Sequence, residues 1–363
     1  MLLCQNLLIE GVNPAEPKKY LSSLVKTLDK GLLQINKSLI KIGYKNRIEK
    51  YLFFFGSPWT VSQSKIVRIT KDKPFVIDSD FLKKIILKEE DQVIKNIESE
   101  RSTRNWHVLE EKVTLTKLNG YKVNKIFQRK TKEAEIHLFV SYAPLEIQDK
   151  IYSYINTKKA KGSHESHSSM LASFSVLRDI FPNKNDFLYI DIGKNITDVY
   201  IVKEDAIAGI SSFPIGESTI INKMSSTGKM SHEIITSMIN TRCSGKCEPS
   251  VSIKLDKLLE KGFDSWVKSL NDAVSKISSE SDTPKNILII PDNEIVSIFI
   301  ERMKQKNPTV NIKLLDSNPE ITAVGESVFN NFVSKAKAFR KEPFVKMDII
   351  YLDKLVKQKS LYA

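Results

Sequence analysis

From Pro17 to Gly43 apolar residues recur at the helical spacing, with Tyr20, Leu21, Leu24, Val25, Leu28, Leu32, Ile35 and Leu39 on one face. That period predicts a buried amphipathic helix, and Gly43 supplies its stop. The pattern then changes: Tyr51–Phe55 is a continuous apolar run closed by Gly56-Ser57-Pro58, the mark of a core strand ending in a turn. Ser64–Thr70 continues in extended form. From Asp78 the spacing predicts a helix over Phe81–Lys88, strands over Val108–Leu118, Tyr121–Phe127 and Ile136–Val140, and a helix from Pro144 to Ile155. Residues 78–155 thus form a compact α+β unit distinct from their flanks. The charged run Lys158–Ser169 predicts a linker, with His164 and His167 on the surface, before a helix over Met170–Phe181 that stops at Pro182.

The second half alternates more regularly. Strands are predicted at Phe187–Ile190, Thr197–Val202 and Ala206–Phe213, and helices from Ser218, over Ser231–Ile239 and over Leu255–Ile277. Asn286–Ile290 (strand), Glu294–Lys304 (helix), Val310–Leu315 (strand) and Ile321–Val333 (helix) continue the alternation, which predicts an α/β layer with helices on both faces of its sheet. Val345–Tyr351 reads as strand-like, and Leu352–Leu361 as a short basic end that packs on the body.

At 363 residues the chain is too long for one ordinary core. Its cysteines, Cys4, Cys243 and Cys247, are odd in number and give neither a disulfide framework nor a tetrahedral metal set, so a reducing, cytoplasmic compartment is expected. No basic run precedes the apolar residues of Met1–Glu10 and no stretch reaches 18 apolar residues, so neither a cleavable signal nor a spanning helix is expected. Lys plus Arg total 56 against 43 Asp plus Glu, a formal +13 that favours anionic partners. The lysines are spread through amphipathic segments without an aromatic ladder, which argues against a nucleic-acid platform.

The residues with most chemical content are Tyr189-Ile-Asp-Ile-Gly-Lys-Asn-Ile-Thr-Asp-Val-Tyr-Ile-Val202, followed by Pro214-Ile-Gly216. A carboxylate and a glycine at the end of a buried strand suit a hydrated cation and backbone amides around a phosphate. The same letters also suit a tight hairpin in which Asp191 satisfies turn amides.

This stretch resembles the second phosphate loop of the actin-like ATPase superfamily, Asp-x-Gly-Gly-Gly-Thr-Thr-Asp, in its cell-division and type IV pilus assembly branch. Asp191, Gly193, Thr197 and Asp198 match, Pro214-Ile-Gly216 resembles the proline-glycine turn that follows, and Asn318–Gly325 resembles a late element of those relatives. The resemblance implies an α/β, two-lobed fold of ribonuclease H-like subdomains with a small inserted α+β domain. The implied division is a first-lobe portion over 1–77, the insert over 78–155, a linker and first-lobe helix over 156–186, the second lobe over 187–333 and a basic segment over 334–363. It further implies ATP and Mg2+ as cofactors, with Asp191 beside the metal and Asp191, Gly193, Lys194, Thr197, Asp198 and Gly216 around the nucleotide, in a cleft between the lobes.

Departures from the pattern weaken that expectation. The first phosphate loop has no equivalent before Gly11, two loop glycines are Lys194 and Asn195, and an adenosine-side glycine pair is replaced within Pro291-Asp292-Asn293. Fewer amides around the phosphates mean less stabilisation of phosphoryl transfer. The expected function is therefore a cytoplasmic scaffold in pilus assembly or cell division, with weak or absent nucleotide binding. Its expected partners are a protein bound through the insert, such as a membrane-anchored assembly protein at the inner face of the membrane, and further copies of itself. The rival readings are an active Mg-ATP-dependent ATPase and a basic nucleic-acid-binding protein.

Overall fold

The computed structural model describes residues 17–43, 48–100, 105–123, 129–157, 162–278, 283–304, 319–332 and 343–360. Helix α1 (Pro17–Lys41) presents the predicted stripe: Leu21, Leu24 and Leu28 pack with Phe53, Phe55 and Trp59. Gly43, at φ 71°, closes the helix by donating to the Ile40 carbonyl at 2.9 Å. Strand β1 (Lys50–Phe55) leads out of the first lobe into an inserted layer, formed by β2 (Val61–Val76), α2 (Ser79–Glu100), β3 (Trp106–Leu118), β4 (Tyr121–Lys122) and β5 (Lys130–Pro144). Its four strands are antiparallel in the order β2-β5-β3-β4. The chain returns through α3 (Leu145–Thr157), β6 (Ser163–Ser168) and α4 (Ser169–Ile180), with β6 parallel to β1.

Three expectations change here. The inserted sheet takes in β2, which precedes Asp78, because Val61–Val76 pairs along β5 with a register shift between Thr70 and Phe75. Helix α3, read as part of the inserted unit, turns Ile147 and Ile151 onto Leu21 of α1. Within the run read as a linker, Ser163–Ser168 is a strand. It carries no apolar residue to signal one, and it is held by pairing with β1 and by its side chains: Lys50 reaches Glu165 at 2.5 Å and His167 Nδ1 reaches Glu110 Oε1 at 3.0 Å. His167 is buried rather than on the surface.

The second layer holds β7 (Phe187–Ile192), β8 (Thr197–Lys203), β9 (Ala206–Phe213), α5 (Glu217–Gly228), α6 (His232–Cys243), α7 (Pro249–Ile277), β10 (Asn286–Ile289), α8 (Glu294–Lys304), β11 (Glu320–Ala323), α9 (Glu326–Asn330) and α10 (Pro343–Ser360). The sheet runs β9-β8-β7-β10-β11, an antiparallel meander followed by two strands parallel to β7. Alternation along β7 decides its two faces. Leu188, Ile190 and Ile192 pack with Phe263, Trp266, Leu270 and Phe299 of α7 and α8. Phe187 and Tyr189 face the other way, with Tyr200, into a core shared by α4, α10 and Phe139 of β5.

Two further expectations fail near the end of the chain. Residues 321–333, predicted helical, begin as β11 and continue as the short α9, since Glu320–Ala323 adds to the edge of β10. Val345–Tyr351 lies in α10, where Met347 and Tyr351 meet the core shared with α4. Read alone, the β-branched pair Ile349-Ile350 masks that helical spacing. The predicted strand 310–315, Asn318 and Phe127 lie outside the described residues. No helix among the described residues is long and apolar enough to cross a membrane.

Candidate functional site

The turn between β7 and β8 gathers most of the predicted site. Gly193 N donates to Ile196 O at 3.0 Å and closes the turn. Gly216 packs so close beneath it that a Cβ there would lie 2.4 Å from Gly193 O and 2.7 Å from Asn195 N, so any side chain would displace the turn. This contact seats the N-terminus of α5 on the turn: Glu217 N donates to Gly193 O at 3.0 Å and Ser218 N to Lys194 O at 2.8 Å. Amides at a helix start ordinarily offer themselves to anions; these two already have backbone partners.

Thr197 and Asp198 diverge, as neighbours on a strand must. Thr197 is fully buried; its hydroxyl donates to Ile215 O at 2.6 Å and accepts from Trp266 Nε1 at 3.0 Å. The expected hydroxyl for a phosphate is therefore taken by the second lobe's own packing. Asp198 lies opposite Asp191 in the ladder, on the same face of the sheet, and its Oδ1 accepts from Ser57 at 2.8 Å and from Ser212 at 2.5 Å. Ser57 stands in the segment leading out of β1, so this carboxylate ties the two lobes together.

Asp191 is half-buried near the end of β7, on the face that carries Tyr189. Burial first, then the Asp198 and Asp292 carboxylates, push its carboxyl well above the ordinary range. The hydroxyl of Tyr189 is buried on the same face and has no hydrogen-bond partner among the described residues. Burial also raises Glu217, which Lys194 opposes, so the lysine standing where the loop pattern has glycine acts on a carboxylate of this chain. Asp292 follows β10 and accepts from Asn293 Nδ2 at 3.1 Å, while Asn293 Oδ1 caps α8 through Val296 N at 3.0 Å.

Part of the expected phosphate clamp is thus engaged within this chain. The helix-start amides and the Thr197 hydroxyl are occupied, a third carboxylate stands beside Asp191 and Asp198, and no set of three metal-ligating side chains occurs among the described residues. Asp191, Gly193, Lys194 and Gly216 do converge on one turn, with Asp198 beside it and Thr197 turned inward. Ser57 and Trp266 had no site motif to announce them, because only the fold brings them there; Glu217 directly follows the Pro214-Ile-Gly216 turn, and Asp292 stood out in the sequence merely as a substituted position.

Next to Asp198 a cavity of about 500 Å³ opens between the inserted layer and the second lobe. Residues 57 and 60–64 of the one and 208–212 of the other line it, together with Met170, Lys276 and Ile277. β2 and β9 are each the edge strand of their sheet, so the cavity runs between two strand edges.

The lobes, the interrupting layer and the strand order together define an actin-like ATPase fold. Over 88% of its length the chain is similar to a structure of the PilM–PilN type IV pilus biogenesis complex, covering 83% of that chain at 10% identity and a TM-score of 0.50. More distant likenesses are to an apo pSK41 ParM protein (10% identity, 59% of this chain and 60% of that one, TM-score 0.36) and to a Bacteroides thetaiotaomicron protein with an actin-like ATPase fold (10%, 80% and 80%, TM-score 0.32). No protein-family model matches the sequence, and no curated protein does.

Proposed function

We propose that this chain is a cytoplasmic scaffold of type IV pilus assembly, held at the inner face of the membrane by a membrane-anchored protein that it binds through the inserted unit, and that it binds nucleotide weakly or not at all. The observation that carries this reading is the near full-length likeness to PilM in its complex with PilN. The engaged helix start agrees with it: the Glu217 and Ser218 amides of α5 already bond Gly193 and Lys194, which leaves fewer donors for ATP.

A partner surface on the inserted unit is supported by charge. Arg129, Lys130 and Lys132 are all exposed at the start of β5, which favours an acidic or headgroup-proximal segment. Phe139 and Tyr142 are 0% and 1% exposed and fill cores of this chain, so the apolar contribution must come from residues such as Tyr121, which is 78% exposed.

Two measurements test the proposal. Pull-down from the native cell with Arg129→Glu, Lys130→Glu and Lys132→Glu combined, checked for folding, is expected to lose the membrane-anchored partner at least about tenfold relative to the parent. Equal recovery sinks the insert as the main binding surface. Calorimetry with Mg-ATP is expected to give a Kd weaker than about 100 μM. Low-micromolar binding would contradict the weak-nucleotide part alone.

A further inference from the structure

The inserted sheet touches both lobes, and its two ends are held by different physics. At the end that meets β6 of the first lobe and helix α10, Glu110 of β3 accepts from His167 Nδ1 and from the Tyr351 hydroxyl, each at 3.0 Å, and from Ser168 N at 2.9 Å. This end is sealed: the Glu110 side chain is 15% and that of His167 11% exposed, and Phe54 packs against the His167 and Tyr351 rings. Phe139, midway along β5, is wholly buried in the core shared with the second lobe.

The opposite end is ionic and wetter. Lys117 of β3 lies 2.8 Å from Glu204 and 3.3 Å from Glu135; Lys122 of β4 lies 3.6 Å from Asp205 and donates to the Glu204 carbonyl at 3.0 Å. Arg68 of β2 completes the set at 2.8 Å from Glu135. Glu204 and Asp205 form the β8–β9 turn, and their side chains are 53% and 42% exposed. Their backbone supplies an independent sign that these carboxylates serve more than the turn. Both have positive φ, 50° and 69°, where a two-residue hairpin turn favours Asn-Gly and where an ordinary side chain costs about 1 kcal/mol per residue. Asp186 Oδ1 and Asn185 O brace the turn by accepting from the two amides, at 2.8 and 3.1 Å. Two acidic side chains are thus held in a disfavoured backbone conformation, facing two lysines of another layer.

We infer that the inserted sheet is a strap across the two lobes, pivoting on Phe139, and that Lys117 and Lys122 on Glu204 and Asp205 are its releasable clasp, whose opening frees β2 over residues 67–70, on the clasp side of the Ser64–Phe139 rung, and β9 where it leaves the Glu204-Asp205 turn. Partly exposed ion pairs hold weakly and are screened by salt, whereas the buried Glu110 end is costly to break, so a change in the angle between the lobes opens the ionic end first. Salt or a competing polyion, rather than mild acid, is the physical trigger. His137, with Arg68 and Lys117, holds Glu135 down at about 2 against its burial, and Lys117 holds Glu204 below the usual carboxylate range.

Hydrogen exchange on the full chain tests this. With Lys117→Glu and Lys122→Glu at low salt, amides of 67–70 and 206–208 are expected to exchange at least about tenfold faster, while β7, β10 and the 61–64 end of β2 stay protected. The parent in about 1 M salt, where the screening length falls to about 3 Å, is expected to change in the same direction. Adding Glu204→Lys and Asp205→Lys to the lysine variant restores protection if the clasp is a charge pair. Should the reversed pairs fold poorly, Glu204→Asn with Asp205→Gly removes the charges while easing the turn, and is expected to release the same two segments. Unchanged exchange in the folded variants and in high salt overturns the inference. So does a loss spread evenly over all strands that the charge swap fails to rescue.

Discussion

Thr197 is held from two sides, by the Ile215 carbonyl and the Trp266 indole. Thr197→Val leaves the buried Trp266 indole and the half-buried Ile215 carbonyl without this partner while preserving shape, and is expected to cost about 1–3 kcal/mol in chemical denaturation, with Thr197→Ser recovering most of it. A residue whose chief role is to present a hydroxyl to a phosphate would show no such loss without nucleotide. At this scale the sequence was informative about address and poor about role. The spacing of Asp191, Gly193, Thr197 and Gly216 brought attention to one turn, and the fold does gather them there. It could not show where the Thr197 hydroxyl points, because its indole partner lies 69 residues further on. Nor could it show that Lys194 acts on Glu217, since that depends on how α5 is seated.

Elements with a strong apolar stripe were legible: α1, α7 and the β7–β9 meander fall within a few residues of expectation. The misses, β6, β11 and α10, are elements whose identity comes from neighbours. The polar strand Ser163–Ser168 exists through its ladder with β1, and α10 is a helix whose stripe shows only against α4. Helix α10 carries a testable electrostatic load: burial alone pushes the Asp348 carboxyl up to about 8. In the unfolded chain that group ionises near pH 4, roughly. The folded state therefore retains a proton that the unfolded state has lost. This contribution to stability is complete below about pH 4, declines as pH rises and is gone above the folded value of about 8. Asp348→Asn should melt several degrees above the parent at pH 8 and together with it near pH 4, as read by thermal scans; parallel pH profiles would refute the assignment.

For the whole molecule, the fold class was legible because alternating strands and helices leave few architectures open. The extent of the inserted layer was not, since β2 joins it through long-range pairing that no local pattern announces. One hydrophobic cluster draws Phe139 from the insert, Leu171 and Phe174 from α4, Tyr189 and Tyr200 from the second sheet, and Met347 and Tyr351 from α10. Bodies that share a core melt together. Scanning calorimetry is expected to give a single transition with matching calorimetric and van't Hoff enthalpies, and Phe139→Ala, which opens that shared core, to lose about 3–5 kcal/mol. Two resolved transitions in the parent would show that the layers are energetically separate.

The parallel pairing of β1 with β6 also governs how this chain is made. Glu49 accepts from Ser163 at a separation of 114 residues, and every rung of the β1–β6 ladder spans a similar distance. During synthesis at about 5–20 residues per second, the apolar run Tyr51–Phe55 leaves the ribosome several seconds before its partner strand exists. The inserted sheet, complete by Pro144, is able to close in that interval. The nascent chain thus carries a finished small layer beside an orphaned sticky strand, a form that invites chaperone capture and makes codon choice between 56 and 163 a determinant of soluble yield.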